Sequence, residues 1–264
     1  MNSISENPHA VQADFGVCQR WRNGRASYRP AGEPFDHRWA TVEAIDEATA
    51  KAFVVKEHYS HSYPAARFRA GLFIKQPFKK EALLGVGVFS VPMNQRVIGA
   101  YFDGLEPNSG VELGRFCLLD QAAANAESWS LVRMKRLLKQ TLPVVQGVIA
   151  YCDPIERRNS DGTVVKRGHV GTIYKATNSR YRGRSSARTL WLAPTGECLV
   201  DRMLSKIRSG DVGEAYAMDH LRKLGAPARA MGEPGDDYLQ RLRAIGWMRP
   251  VRHPGNLAFT WVLP

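Results

Sequence analysis

The stretch 111–154 decides the fold, because it reads as a strand, a loop, a helix and a second strand in succession. It opens with VELGRFCLLD (111–120), an apolar strand pattern, and closes with VVQGVIAYCDP (144–154), a nearly continuous apolar run. Between them, ESWSLVRMKRLLKQ (127–140) carries apolar residues at spacings that place them on one helical face. A largely apolar strand that follows a helix is typical of a parallel crossover. The segment therefore predicts an α/β fold.

The residues upstream of this unit predict further strands and a helix. GLFIK (71–75) and LLGVGVFSV (83–91) are apolar runs separated by a lysine-rich turn, so we expect a hairpin. Residues 41–57 have a helical period, and Pro64 forbids its continuation. Residues 1–37 are polar, rich in Gly, Pro and Arg, and without a sustained period, which predicts an N-terminal arm before a catalytic domain that occupies 38–264.

The residues downstream predict that the unit repeats. HVGTIYKATN (169–178) has a helical face and ARTLWLAP (187–194) alternates as a strand. Residues 201–246 offer three short helical patterns broken by Gly and Pro, and NLAFTWVLP (256–264) ends in an alternating strand. We therefore expect a central mixed sheet flanked by helices, with a C-terminal helical extension and a closing strand.

Composition favours a globular protein with a polyanionic partner. The 264 residues include 37 Lys and Arg against 25 Asp and Glu, a formal charge of +12, and such a surplus attracts nucleic acid. The four cysteines form no CxxC pair, and no apolar leader or bilayer-length run is found. These observations predict reduced cysteines, a cytoplasmic location and no membrane partner.

The positive charge is concentrated between Asp161 and Glu197, where no acidic residue occurs. Arg and Lys neutralise phosphates, and the interleaved Tyr181 and Trp191 have rings that stack on unpaired bases. A solvated basic face, with Trp191 in the core, is the alternative. The predicted DNA-contacting residues are Lys166, Arg167, Lys175, Arg180, Tyr181, Arg182, Arg184 and Arg188.

Five further residues carry side chains suited to chemistry. The cluster EHYSHSYP (57–64) supplies His58 and Tyr59, which fit a general base, a metal site or satisfied surface groups. Arg115 lies in an apolar strand and needs a carboxylate or a ligand anion. Asp153 ends a buried strand, where open α/β sheets bind ligands, although Asp before Pro also starts turns. Ser128 begins a helix, where Ser commonly caps.

These segments, in their order along the chain, resemble the Mom family of phage DNA-modification proteins. The resemblance covers most of the chain from about residue 50 onward, and single fragments are less specific than their combination. It rests on KEHYSHSYP (56–64), ELGRFCLLD (112–120) with AESWSL (126–131), YCDP (151–154), GHVGTIYKATNSRYRG (168–183), LSKIRSG (204–210) and HPGNLAFTWVLP (253–264).

The resemblance implies an activity, a fold and a set of site residues. Mom proteins convert adenine in DNA to an N6-carbamoylmethyl derivative, which masks phage DNA from host restriction, and their fold is similar to that of GNAT acyltransferases. A bacterial cell that carries the phage or prophage is then the expected setting. The active-site positions of the family fall on His58, Tyr59, Arg115, Ser128, Asp153 and Tyr174. Asp153 or His58 would accept a proton, Arg115 would hold the donor, and Tyr59 or Tyr174 would contact the base.

The donor is not identified by any motif. GNAT enzymes cradle the coenzyme A pyrophosphate in an RxxGxG/A loop, whereas DQAAANAES (120–128) lacks these glycines. An acyl-CoA-type donor therefore rests on fold analogy alone. A dependence on iron has been suggested for the family, but this sequence has no matching motif, and the predicted site contains no metal.

Three hypotheses follow from the sequence. The first is a transferase that acts on the N6 amine of adenine in double-stranded DNA, with a small-molecule donor and a flipped base. The second is a GNAT-type N-acyltransferase that acts on a protein or small molecule, and the third is a basic DNA-binding protein without catalysis. The glycine-free loop counts against the second, and the spread of polar residues over His58, Arg115, Asp153 and Tyr174 counts against the third. The sequence does not determine the oligomeric state.

Overall fold

The described chain is an α/β structure built around one large mixed sheet. A computed structural model describes residues 17–22, 25–30, 35–94 and 96–264. In this part of the chain the strands are β1 (Val17–Arg22), β2 (Arg25–Pro30), β3 (Ala40–Ala44), β4 (Ala66–Ile74), β5 (Ala82–Ser90), β6 (Gly110–Leu118), β7 (Gly147–Cys152), β8 (Arg157–Arg158), β9 (Val164–Lys166), β10 (Arg180–Arg184), β11 (Arg188–Leu192), β12 (Cys198–Leu199), β13 (Arg249–His253) and β14 (Leu257–Val262).

The helices are short apart from the one that follows β6. No helix of the described residues is long and apolar enough to cross a bilayer. Short 3₁₀ turns occupy His37–Trp39 and Pro107–Ser109. The α-helices are α1 (Glu47–Glu57), α2 (Arg96–Tyr101), α3 (Ala126–Thr141), α4 (Thr172–Lys175), α5 (Asp201–Ser209), α6 (Glu214–Lys223) and α7 (Gly235–Ala244).

The large sheet has seven strands in the order β10-β14-β7-β6-β5-β4-β3. Its pairs are antiparallel except β6 and β7, which α3 joins in a parallel crossover. The expected crossover and the β4–β5 hairpin are thus confirmed. The closing strand β14 is not at the edge: it lies between β7 and β10.

Helices cover both faces of this sheet. Leu131, Met134 and Leu138 of α3 are fully buried in the main core, as the helical pattern predicts. On the opposite face α1 packs against β5, and α2 packs against β7. Gly110 begins β6 where any larger side chain would collide with Ile98 of α2, at 2.4 Å from an added Cβ, so this glycine allows the helix to lie close.

A second core lies outside the large sheet. Strands β11, β12 and β13 form a three-stranded sheet, on which α5, α6 and α7 pack. Tyr238, Leu239 and Leu242 of α7 are at its centre, each 1% exposed or less. We call residues 201–246 the helical lobe. The three helices predicted for this stretch are confirmed.

Two predicted helices are wrong in part. Residues 41–44 belong to β3, because the β-branched Thr41 and Val42 pair with β4. The helix begins only after Asp46, whose carboxylate accepts the backbone N–H of Thr49 at 2.8 Å and caps α1. Of the helix expected in 169–178, only the single turn of α4 is present.

The predicted repeat of the strand, helix, strand unit is also wrong. The strand in 187–194 exists as β11, but it belongs to the smaller sheet and pairs with β12 and β13. The strand that follows α4 in the large sheet is instead β10, which is antiparallel to β14. The large sheet therefore contains one parallel pair.

The predicted N-terminal arm includes a hairpin. Strands β1 and β2 pair within the arm, and the Arg20 guanidinium bonds the Glu127 carboxylate and the Leu119 and Ala122 carbonyls beside α3. The other residues of the arm before 35 lie outside the described residues. Cys117, Cys152 and Cys198 are free thiols.

Candidate active site at the separation of two parallel strands

The parallel strands β6 and β7 separate after three residues. They are paired from Gly110 to Glu112, opposite Gly147 to Ile149, and β6 then continues beside β5 while β7 continues beside β14. A bulge at Gly114, between the pairs Phe89 with Leu113 and Val88 with Arg115, bends β6 at this point. The strands are therefore unpaired with each other at their carboxyl ends, the position at which open α/β sheets place their ligands, and we call this region the cleft.

One wall of the cleft is the loop after α1, which Arg115 holds in place. The Arg115 guanidinium donates to the Ser62 carbonyl at 2.9 Å, to the Ser62 hydroxyl at 2.7 Å and to the Gly114 carbonyl. No carboxylate of the described residues forms an ion pair with it. Burial lowers the pKa of Arg115, while the nearby Tyr59 and Glu112 oppose that effect. The guanidinium therefore has a charge that forms no ion pair among the described residues, which suits an anionic or carbonyl ligand.

His58 lies at the C-terminal end of α1 with only 8% of its surface exposed. Its Nδ1 accepts the backbone N–H of Ser60 at 3.1 Å, which assigns the proton of the neutral ring to Nε2. Burial lowers the pKa of His58 to about 3, and the charge of Arg115 adds to the effect. At neutral pH the ring is an uncharged hydrogen-bond donor through Nε2.

Two other histidines use the same local geometry. His169 Nδ1 accepts the N–H of Gly171 at 3.2 Å, and His253 Nδ1 accepts that of Gly255 at 3.1 Å. His169 reaches solvent, but the surrounding atoms desolvate it and lower its pKa to about 4. Both His58 and His169 are thus neutral at physiological pH.

The two candidate tyrosines have different surroundings. Tyr59 is 41% exposed, and its ring centroid is 4.3 Å from that of His58. Tyr174 is 8% exposed and is enclosed edge-on by Phe259 and Trp261, at centroid distances of 5.6 and 5.3 Å. Burial raises the pKa of both hydroxyls. Only Tyr59 has an open ring surface for a base.

Asp153 is engaged on both carboxylate oxygens. Oδ1 accepts from Ile155 N–H at 3.0 Å and His253 Nε2 at 2.9 Å, and Oδ2 lies 3.1 Å from Lys166 Nζ and 3.7 Å from Arg157. Burial opposes its ionisation, but the Lys166 charge and the His253 and Ile155 hydrogen bonds outweigh burial and lower its pKa. A carboxylate held in this way joins β7 to β9 and β13 and is a weak proton acceptor.

Sequence reasoning missed Glu112. This residue occupies the last paired position of β6 before the strands separate, and its side chain makes no hydrogen bond or ion pair with any described residue. Burial raises its pKa, while the Arg115 charge opposes that shift. Its charge also acts on the hydroxyls of Tyr151 and Tyr174. The available signal was a carboxylate in the same apolar strand where Arg115 was noticed.

Ser128 is not brought into contact with this cluster. It lies in the first turn of α3, where its hydroxyl donates to the Asn125 carbonyl at 3.1 Å. It is not the N-cap, a position that Asn125 takes with a φ of 70°. This is the side-chain hydrogen bond that Ser128 makes among the described residues.

The predicted basic surface loses one member. Lys166 is 4% exposed and binds Asp153 together with the carbonyls of Asp153 and Ile155, so it does not contact a phosphate. The reason is a buried carboxylate that the acid-free window did not reveal. Arg180, Arg182 and Arg184 lie on β10, the edge strand of the large sheet. Of the remaining predicted members, Arg167, Lys175, Tyr181 and Arg188 are exposed.

The described residues provide no ready set of protein ligands for a metal. No group of three or more His, Cys, Asp or Glu side chains in this part of the chain is arranged to hold an ion. The side chains around the cleft are not arranged as ligands for iron. His253 and Asp153 bind each other, and Nδ1 of both His58 and His169 accepts a backbone N–H.

Fold and cleft together define an α/β protein whose polar site lies between two separating parallel strands. The family model of the Mom protein family matches residues 39–230, and the chain belongs to this family. A search among curated proteins gives no match. Membership of the family suggests a DNA-modifying enzyme of phage type, with DNA as its substrate.

Proposed function

We propose that the protein transfers a carbamoylmethyl group to the N6 amine of adenine in DNA and so protects phage DNA from host restriction. The observation that carries the proposal is the cleft at the separation of β6 and β7, which gathers His58, Tyr59, Arg115 and Glu112. Family membership supplies DNA as the substrate class. We also propose that the fold is related to that of the GNAT acyltransferases.

The reaction needs a proton acceptor, because the lone pair of N6 is delocalised into the purine ring. A new bond joins N6 to the methylene carbon of the incoming group, the bond from that carbon to the leaving group of a small-molecule donor breaks, and N6 loses a proton. Positioning and general base catalysis are the two means that a protein has to assist this step.

Glu112 is the best proton acceptor in the cleft. Asp153 has a lowered pKa and filled oxygens, and His58 has a pKa of about 3 with its proton already on Nε2. Glu112 has the opposite character: burial raises its pKa, and its carboxylate has no hydrogen bond or ion pair with the residues that the structure describes. A carboxylate whose basicity is raised in this way is matched to proton transfer near neutral pH.

The remaining groups orient the two reactants. Arg115 and the Nε2–H of His58 donate to the carbonyl or leaving group of the donor, where negative charge develops. Tyr59 offers the open ring surface for an extruded adenine, since chemistry on a base requires its removal from the stack. Asp153 is a positioning residue that fixes β7, β9 and β13 at the cleft, and the buried Tyr174 places its hydroxyl near Tyr59 and Glu112.

The test is nucleoside mass spectrometry after expression in bacteria. Plasmid DNA from cells that produce soluble protein should contain deoxyadenosine whose mass has increased by one carbamoylmethyl group in place of hydrogen. The variant Tyr59→Ala should lose the product, whereas Tyr216→Ala, which removes an exposed tyrosine of the helical lobe, should retain it.

Each other result contradicts a defined part of the proposal. Canonical nucleosides alone, from soluble protein, would favour an acyltransferase on another substrate or a binding protein. A modified adenine with a different added mass would keep the DNA substrate and overturn the carbamoylmethyl assignment.

A further inference from the structure

A groove on the α2 face of the sheet is not part of the catalytic cluster. It has a volume of about 520 Å³ and is lined by residues of α2, β7, β10 and the turn before β11. A groove of this volume is large enough to accommodate a compound of the size of a nucleotide. The residues that matter for its chemistry are Arg96, Tyr101, Tyr151, Arg184 and Arg188.

The three arginines of the groove form no ion pair within the part of the chain that the structure describes. Arg96, Arg184 and Arg188 are exposed, and no carboxylate of the described residues lies within ion-pair distance of any of them. They come from separate elements that the fold brings to one groove. Three unpaired cations around one concave surface repel one another unless an anion binds, so the groove is complementary to phosphate.

Two tyrosines give the groove an aromatic wall. The rings of Tyr101 and Tyr151 meet edge to face, with centroids 6.2 Å apart. Aromatic rings beside arginines are the usual elements of an unpaired nucleotide site, because bases stack on the rings and phosphates bind the guanidinium groups. A site for a simple inorganic anion would not need them.

The groove connects to the catalytic cleft through β7. Tyr151 lies two residues before Asp153 and on the sheet face that Ile149 and Glu112 share. Tyr151 is close enough to Glu112 for the carboxylate to affect its hydroxyl. A single DNA strand that leaves the cleft along this face of the sheet would therefore enter the groove.

We infer that the groove of Arg96, Tyr101, Tyr151, Arg184 and Arg188 binds the nucleotide next to the target adenine in a DNA strand that has been drawn out of the duplex. This inference rests on the proposed function. The arginines bind the phosphodiester oxygens, and the neighbouring base stacks on the tyrosine rings. Arg180 and Arg182 extend the positive charge along β10 beyond the groove, which suits a continuing strand better than the compact pyrophosphate of a donor.

The first test compares two variants with the same change in net charge. The groove variant carries Arg96→Ala, Arg184→Ala and Arg188→Ala, and the control carries Arg208→Ala, Arg222→Ala and Lys223→Ala in the helical lobe. Binding of a fluorescent single-stranded oligonucleotide is followed against salt concentration. Each lost phosphate contact lowers the salt slope by about 0.7, so the groove variant should lose about 2 and the control almost nothing.

A second test isolates the aromatic wall. Tyr101→Ala should weaken oligonucleotide binding by roughly 10-fold, within the range for loss of one base stack, whereas Tyr101→Phe keeps the ring and should bind as the wild type does. Thermal unfolding of both variants separates this effect from a loss of fold. Equal binding by the two variants would remove the stacking role.

Competition distinguishes the DNA strand from a nucleotide-type donor. We expect an unlabelled oligonucleotide to displace the probe and ADP at the same phosphate concentration to leave it bound. Displacement by ADP that the groove variant abolishes would assign the groove to the donor and overturn the inference. A groove variant whose salt slope and affinity equal those of the control would also overturn it, while modification of plasmid adenine by that variant would leave the proposed function intact.

Discussion

Two regions of the molecule contain many arginines and differ in whether these arginines form ion pairs. Residues 162–196 contain seven Lys and Arg and no acidic residue, whereas the helical lobe contains eight Lys and Arg with seven Asp and Glu. In the lobe these charges pair, as between Arg222 and Asp219 at 2.6 Å and between Arg241 and Glu233 at 2.8 Å. In the groove Arg184 and Arg188 have no such partner among the described residues. Residues 162–196 therefore contribute seven of the twelve net positive charges of the chain, whereas the helical lobe contributes one.

The comparison teaches that pairing, and not the number of basic residues, marks an anion-binding surface. Exposed ion pairs are weak in water, but they still remove the local potential that attracts a polyanion. Lys166 shows the converse case, since it lies in the acid-free window and yet is neutralised by Asp153. Four predictions test this contrast between the cleft side and the lobe.

The largest effect is expected for Glu112→Gln. Loss of a general base typically costs at least ~100-fold in rate, and the amide keeps the size of the side chain. Modified adenine per folded protein should fall by this factor while oligonucleotide binding persists. Asp237→Asn, an exposed carboxylate of the lobe, is the control and should keep full activity. Full activity of Glu112→Gln would return the base role to His58 or Asp153.

The next effect is on stability and concerns Asp153→Asn. The change leaves the Lys166 ammonium, 5% exposed, without its counter-charge, and breaking a buried ion pair from one side costs roughly 3 kcal/mol. Urea denaturation measures this loss. A variant that is as stable as the wild type but unable to modify adenine would show that Asp153 acts in the chemistry and not in positioning.

A smaller effect is the acid dependence conferred by His58. Its pKa falls from 6.5 to about 3 on folding, so below pH 6.5 the unfolded chain binds a proton that the native protein does not. The free energy of unfolding should therefore fall by about 1.4 kcal/mol per pH unit as the pH decreases from 6.5. Comparison of wild type with His58→Gln between pH 6.5 and 4.5 isolates this contribution. Parallel stability curves would contradict the assigned pKa.

The smallest effect is expected in the lobe. Asp219→Asn removes an exposed carboxylate that pairs with Arg222 and Lys223, and such pairs contribute little to stability. We expect an unchanged melting temperature and a slight increase in nonspecific DNA binding, because the charges of one arginine and one lysine become unpaired. A large loss of stability would show that the lobe depends on its ion pairs.

The sequence predicts the parts of the fold that depend on local pattern. The crossover of β6, α3 and β7 and the β4–β5 hairpin follow from apolar periodicity, and they are confirmed. The local pattern predicts helix for residues 41–44, but these residues form the edge strand β3, because pairing with β4 is a tertiary effect that overrides a local helical period. The separate sheet of β11 could not be predicted, since its partner β13 lies about sixty residues further along the chain.

The candidate site was predicted by residue type more reliably than by role. His58, Tyr59 and Arg115 do meet at the cleft, but Ser128 does not contact them. The roles depend on partners that only the fold supplies: Lys166 and His253 occupy Asp153, and the separation of two strands isolates Glu112. Arg96 lies outside the predicted basic window because α2 is distant from that window along the chain, and only the fold brings it to the groove.

The position of β14 has a consequence for biosynthesis. This strand pairs on one side with β7 and on the other with β10, and its Phe259 and Trp261 complete the core around Tyr174. Until the ribosome has passed residue 262, the large sheet lacks an interior strand, and β10 with its arginines has no neighbour. Such long-range pairing folds slowly. A partly made chain therefore has neither its basic edge nor a closed cleft, and the growing polypeptide acquires both in the same late step.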